Sequence, residues 1–146
     1  MSYLLSKSRK DHPEKNGEVQ KITPKTANWE YVGFEMYHLQ EEQELTFDTE
    51  NSFVLVAGKA TIVTSQATFE HIGNRASPFE RIPPYSVYVP HQQKVQIKAE
   101  SYLELAVCRA PSQGSLPIRL IKPEDVGVER RGYGNNKRLV HNILPE

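Results

Sequence analysis

Five histidines, one cysteine and a cluster of arginines have the clearest chemical potential in this sequence. His12, His38, His71, His91 and His141 stand far apart. None forms the HxH, HxxxH or HExxH spacing that would aim two imidazoles at one metal ion. Distant residues can still share a site, but the spacing supports none as a ligand, so each is read as structural or surface. Cys108 is the single cysteine, with no partner for an internal disulfide or a CxxC zinc pair. It lies in an alternating stretch, where a free thiol reads as a small buried hydrophobe. No GxSxG elbow presents a serine nucleophile.

Two segments carry more specific promise. Arg130, Arg131, Lys137, Arg138 and His141 fall close together around Gly132, Gly134 and the pair Asn135-Asn136. Glycine and asparagine accept positive φ, so the chain can turn tightly here and present backbone N–H groups. Arginine also pairs with a carboxylate through two parallel hydrogen bonds. Arg131, Asn135, Arg138 and His141 are therefore candidate contacts to an acidic substrate or a partner domain. The plainer reading is a solvated hairpin turn. The second segment, 75–90, holds four prolines and three aromatic residues. It reads as a rigid loop over one barrel mouth, or as a ligand or subunit contact through Arg75, Glu80 and Tyr85.

The elements that must hold these residues are short and extended. The chain has 146 residues, one domain's worth. Eighteen basic side chains balance eighteen acidic ones. That argues against a nucleic-acid or membrane-surface binder driven by bulk charge. No run of apolar residues reaches membrane-spanning or signal-peptide length, so a cytoplasmic location is expected. Residues 30–39, 53–57, 60–64, 86–89, 94–98 and 102–109 are rich in β-favouring types. Leu103, Leu105 and Val107 alternate with Glu104, Ala106 and Cys108, which is period two. Gly58-Lys59 between two such runs reads as a hairpin turn. Residues 118–121 are a further strand candidate, and Pro123-Glu124-Asp125 suits one turn of helix. No stripe of three helical turns appears. Strands at this spacing indicate an all-β sandwich or barrel.

The run 53–62 looks like the strand–Gly–strand element of a cupin, a double-stranded β-helix or jelly-roll barrel. Residues 84–91 look like the second cupin segment, a strand ending at proline. Metal-binding cupins place an HxH pair and a Glu before that glycine and one His after that proline. Counting back from Gly58, the paired places fall near Leu45 and Phe47, or Glu44 and Thr46, and the Glu place near Asn51. Counting on from Pro90, the last place falls near Val95. These are not a ligand set, because Val and Phe cannot coordinate and Thr and Asn are weak beside imidazole or carboxylate. The barrel is expected to be metal-free, with His91 at its rim.

Four ordered phrases then carry a resemblance. They are WEYVGFE at 29–35; RASPFE at 75–80 with PPYSVYVP at 83–90; ELAVC at 104–108 with Ala110-Pro111; and RGYGNNKRLVHNILP at 131–145. Together they closely resemble the N-terminal half of the 5-deoxyglucuronate isomerase family of bacterial inositol catabolism. The pectin-degrading ketol-isomerases are more distantly similar. The resemblance implies a bicupin about twice this length. It also implies an aldose–ketose isomerisation of 5-deoxyglucuronate to 5-dehydro-2-deoxygluconate. The family's divalent metal would sit in the C-terminal cupin, so its ligands have no positions in this chain. Residues 1–17 are expected to be a polar arm, 18–110 the cupin-like barrel, and 111–146 a connection toward a second cupin.

Two functions follow. In the first, the chain is half of an isomerase and inactive unaided, its partners being a sugar-acid substrate, its own C-terminal half and possibly further copies of itself. In the second, it is a stand-alone, non-catalytic cupin that binds a sugar acid or a partner subunit. The first predicts an exposed apolar face around Leu139, Val140, Ile143 and Leu144. The second requires that face to be buried.

Overall fold

Period-two alternation sets the architecture. In a strand, every second side chain points the same way, so one apolar set can close a core. The structure, a computed structural model, describes residues 5–48, 51–90, 93–111 and 116–144. Its strands are β1 (Glu18–Ile22), β2 (Gly33–Leu39), β3 (Glu44–Phe47), β4 (Asn51–Ala57), β5 (Ala60–Thr64), β6 (Thr68–Ile72), β7 (Ser86–Val89), β8 (Val95–Ala99), β9 (Leu103–Arg109), β10 (Arg119–Ile121), β11 (Gly127–Arg131) and β12 (Arg138–Asn142). One helical turn, α1 (Pro24–Ala27), and three 3-10 turns complete the set. Among the described residues no helix is long and apolar enough to cross a membrane.

A six-stranded sheet runs β1-β2-β9-β4-β7-β10 and a four-stranded sheet runs β3-β8-β5-β6, with all pairs antiparallel. Their inner faces share one core. Phe53, Leu55, Leu103, Leu105, Val87 and Val89 from the larger sheet meet Ile62, Val95 and Ile97 from the smaller, all essentially without solvent exposure. This is the expected all-β, jelly-roll barrel of cupin type.

The link at Gly58-Lys59 is not a hairpin. β4 and β5 belong to different sheets, and Gly58 marks the corner where the chain crosses between them. Its φ is +94°, and a Cβ there would lie 2.1 Å from the Tyr102 carbonyl oxygen. Only glycine fits that approach without displacing backbone. The alternation also corrects Cys108. Leu103, Leu105 and Val107 point inward, so Cys108 points outward and is exposed. Its burial is still sufficient to push the thiol above its ordinary range, away from the reactive thiolate.

The sheet also continues beyond Ala110. β10 pairs with β7, and Ile121 is buried. The strand expected from Glu30 begins only at Gly33, and Trp29, Tyr31 and Val32 are exposed ahead of it. Residues 5–16 form a peripheral loop tied to β1 by Arg9 N–H to the Val19 carbonyl and Glu14 N–H to the Glu18 carbonyl. His91 lies outside the described residues.

Candidate functional site

The counted cupin ligand places resolve onto the barrel's inner wall. Leu45, Phe47, Asn51 and Val95 are all buried, whereas Glu44 and Thr46 point outward. Phe47 stands opposite Val95 in the β3–β8 ladder. Around Phe47 the rings of Tyr37 and Phe53 pack at centroid distances of 5.8 and 5.1 Å. Arg109 lies over the Phe47 face, 5.6 Å from its centroid. A cation on an aromatic face is attracted by the ring quadrupole. Aromatic carbon thus fills the volume where imidazoles would meet a metal. Among the described residues no three His, Cys, Asp or Glu side chains are placed to hold a metal ion. The residues present do not fit a divalent cation.

One carboxylate does point into this mouth. Glu35, 2% exposed, accepts hydrogen bonds from the Tyr37 hydroxyl (2.8 Å) and from an Arg109 Nη (3.0 Å). The Lys21 ammonium stands 3.3 Å away. Burial alone would raise the Glu35 carboxyl. The hydrogen bonds from Arg109 and Tyr37, with the charges of Arg109 and Lys21, outweigh it and hold the group below the ordinary carboxylate range. Burial first, and Glu35 second, push the Tyr37 hydroxyl far upward. Glu35 is therefore an ionised, fully engaged carboxylate with no readiness to take a proton near neutral pH. This cluster had no motif in the sequence. The sole hint was a Glu at an inward position of an aromatic-rich strand.

The nominated loop residues serve the fold. Arg75 donates from Nε to the Val56 carbonyl and from an Nη to the Ile82 carbonyl, both at 2.7 Å. Its own carbonyl accepts from Gly58 N–H at 2.9 Å. Arg75 thus ties the loop to the corner between the sheets. Glu80 accepts from the backbone N–H groups of Ala76 and Ser77, in a capping box around the 3-10 turn Pro78–Glu80. Tyr85 is half-buried against the core, and its carbonyl accepts from Leu55 N–H. His71 is exposed and pairs with Glu100 at 2.8 Å, and this hydrogen bond raises the imidazole pKa.

The nominated C-terminal residues occupy an antiparallel hairpin, β11–β12, whose turn contains a 3-10 segment at Gly134–Asn136. Arg131 and Arg138 are directly opposed on its last rung. Both line an open groove of about 730 Å³ with Arg130, Gly132, Lys137 and Leu139. Arg81, at the end of the 75–81 turn, reaches the same groove. Arg81 was missed in sequence, because residues 82–126 separate it from the hairpin and no pattern links them. Asn135 is exposed, and neither it nor His141 lines the groove. His141 is half-buried, and its Nε2 is shielded without a hydrogen-bond partner among the described residues.

A second groove, about 390 Å³, lies on the outer face of the six-stranded sheet. Its floor is a cross-strand row, Phe34–Cys108–Ser52–Tyr88, and its walls include Trp29, Val32 and Leu144. Leu144 is thereby placed against the barrel's outer surface.

Comparisons with known proteins agree with this geometry. A 5-deoxy-glucuronate isomerase of Geobacillus thermodenitrificans is 53% identical over 137 residues, covering 92% of this chain and 50% of that protein. One from Bacillus subtilis (strain 168) is 41% identical, covering all of this chain and 55% of its own length. The crystal structure of an IolB-like protein from Salmonella typhimurium LT2 superposes with a TM-score of 0.89 at 50% identity, over 96% of this chain and 53% of that one. The chain thus spans about half the length of the relatives it matches. The sequence pattern of the KduI/IolB family matches residues 4–146, and with it the chain belongs to the KduI/IolB family.

Proposed function

We propose that this chain is the metal-free, N-terminal barrel of a cytoplasmic two-barrel isomerase. The whole protein would convert 5-deoxyglucuronate to 5-dehydro-2-deoxygluconate in myo-inositol catabolism. The observation that carries this is the match, along nearly the entire chain, to curated 5-deoxy-glucuronate isomerases of about twice its length.

An aldose–ketose isomerisation moves a proton between adjacent carbons while the carbonyl shifts along the chain. It needs a base beside the C–H bond and positive charge beside the enediolate oxygens. Within this barrel Glu35 is locked by Arg109, Tyr37 and Lys21, and aromatic rings fill the remaining mouth. The barrel's task is accordingly to seat and orient the half that holds the divalent metal and the reacting carbons. The outer apolar groove is the seat for that half. Trp29, Val32 and Leu144, which line it, are exposed; of the apolar face expected at 139–144, Leu139 is exposed at the other groove and Val140 and Ile143 are half-buried. Large apolar side chains grouped on a surface favour a covered interface over a free one. The alternative, a stand-alone sugar-acid binder, lacks this economy because it leaves the same face in water.

The test is reconstitution. The purified 146-residue chain, given 5-deoxyglucuronate and divalent metal, should show no turnover. Joined to the unmatched half of the Geobacillus thermodenitrificans enzyme, it should regain turnover. Activity of the barrel alone would overturn the metal-free assignment. A folded, monodisperse fusion that leaves the substrate unchanged would overturn the isomerase reading.

A further inference from the structure

We propose that the groove between Arg81 and the β11–β12 hairpin binds a small polyanion, a soluble molecule carrying two or more carboxylate or phosphate groups. The proposal stands apart from the isomerase reading, which needs only a monocarboxylate substrate.

The argument begins with charge. Arg81, Arg130, Arg131, Lys137 and Arg138 line one concavity, and among the described residues no carboxylate lines it with them. The chain as a whole is formally neutral, so this concentration is local. Arg131 leans on Glu129, its Nε 2.8 Å from the carboxylate, and Arg138 donates to the Asn136 side chain. Arg81, Arg130 and Lys137 make no ion pair among the described residues.

Geometry adds two observations. Arg131 and Arg138 face each other across the final rung, and like charges directly opposed weaken a ladder. The turn keeps them close. Gly132 has φ +77°, and a Cβ there would lie 2.1 Å from the Asn136 carbonyl oxygen, so the reversal is tight and specific to glycine. Arg81 stands in the left-handed region, φ +61°, where glycine or asparagine is the usual residue. An unfavourable backbone conformation that delivers a fifth cation into the groove points to use of that cation. The volume lies within the range of small-molecule sites. Among the described residues Leu139 is the one large apolar lining residue, which is little for a protein partner's core contact. Guanidinium forks match planar carboxylate and phosphate groups through paired hydrogen bonds.

Calorimetric titration of the 146-residue chain at matched ionic strength tests this. The probes are inorganic pyrophosphate, citrate, glucuronate and an oligoglutamate peptide. Pyrophosphate and citrate should bind saturably, at least about tenfold tighter than glucuronate. Arg81→Gly suits the left-handed backbone, so its ligand-free thermal midpoint should not fall while polyanion affinity drops about fivefold or more. Arg130→Gln with Lys137→Gln, both on exposed positions, should abolish saturable binding. Equal affinity for glucuronate, no saturable binding of either small polyanion, or binding unmoved in both variants would overturn the proposal. Binding of the oligoglutamate alone would replace it with an acidic protein partner.

Discussion

The barrel and the C-terminal hairpin solve opposite problems with similar strands. In β4 every second side chain is buried, as are Leu103, Leu105 and Val107 of β9, and the Glu35 carboxylate that enters the mouth is held by Tyr37 and Arg109. In β11 no residue is buried, and β12 is at most half-buried. The barrel turns its chemistry inward. Glu35 and Arg109, a pair that elsewhere could act on a substrate, hold each other over an aromatic plug. The hairpin has no core of its own and leaves arginines facing one another. A two-stranded ribbon is marginal alone, so its stability must come from its attachment and from whatever it contacts. Residues with catalytic-looking types are thus structural where they are buried, and the available charge lies where packing is thinnest.

The sharpest way to break this contrast is through the core. Phe53 is fully buried and contacts Phe47. Phe53→Ala should cost about 3–5 kcal/mol in urea unfolding. A small loss would mean that the two sheets do not share one close-packed core.

Arg109→Met tests the mouth. It leaves the buried Glu35 with Tyr37 and the half-exposed Lys21, and should cost about 2–3 kcal/mol at neutral pH, discounted for the partial exposure of Arg109. The sign with pH follows from the depressed Glu35 value. In the parent chain the Glu35 contribution is complete above the ordinary carboxylate range and disappears as pH falls through the lower folded value. Without Arg109, burial raises that value, so acid unfolding should begin at higher pH. Coincident acid profiles would show that Arg109 does not hold the carboxylate.

At the small end, Val128→Ser on the exposed face of β11 should shift global stability by no more than about 0.5 kcal/mol. A larger loss would show that the hairpin is an integral part of the barrel's cooperative unit.

Much of the architecture was legible without coordinates, because period two and β-favouring composition are local properties. The inward set of β9 and β8 follows directly from alternation, as does the absence of long helices. Counting from Gly58 and Pro90 also located the cupin ligand places, at Leu45 and Phe47 or at Glu44 and Thr46 and near Val95, but only the fold shows that Leu45 and Phe47 are the inward pair. Three further things were not legible. Gly58 flanked by two strands looks identical whether the strands pair or part, and only the long-range ladders to β9 and β8 decide that they part. Arg75 and Glu80 looked available, but the carbonyls and N–H groups that occupy them come from the fold. Arg81 joins Arg130 and Lys137 only when the loop and hairpin meet.

What the sequence by itself determined is the class of strand, its inward face and the poor match of the counted places to a cupin's His and Glu ligand set. Each depends on residue type and spacing along one segment. What only tertiary structure decided is which charges are already satisfied and which still face water. That depends on the groups brought near them from elsewhere in the chain, and electrostatic and hydrogen-bond partners are chosen by distance in space.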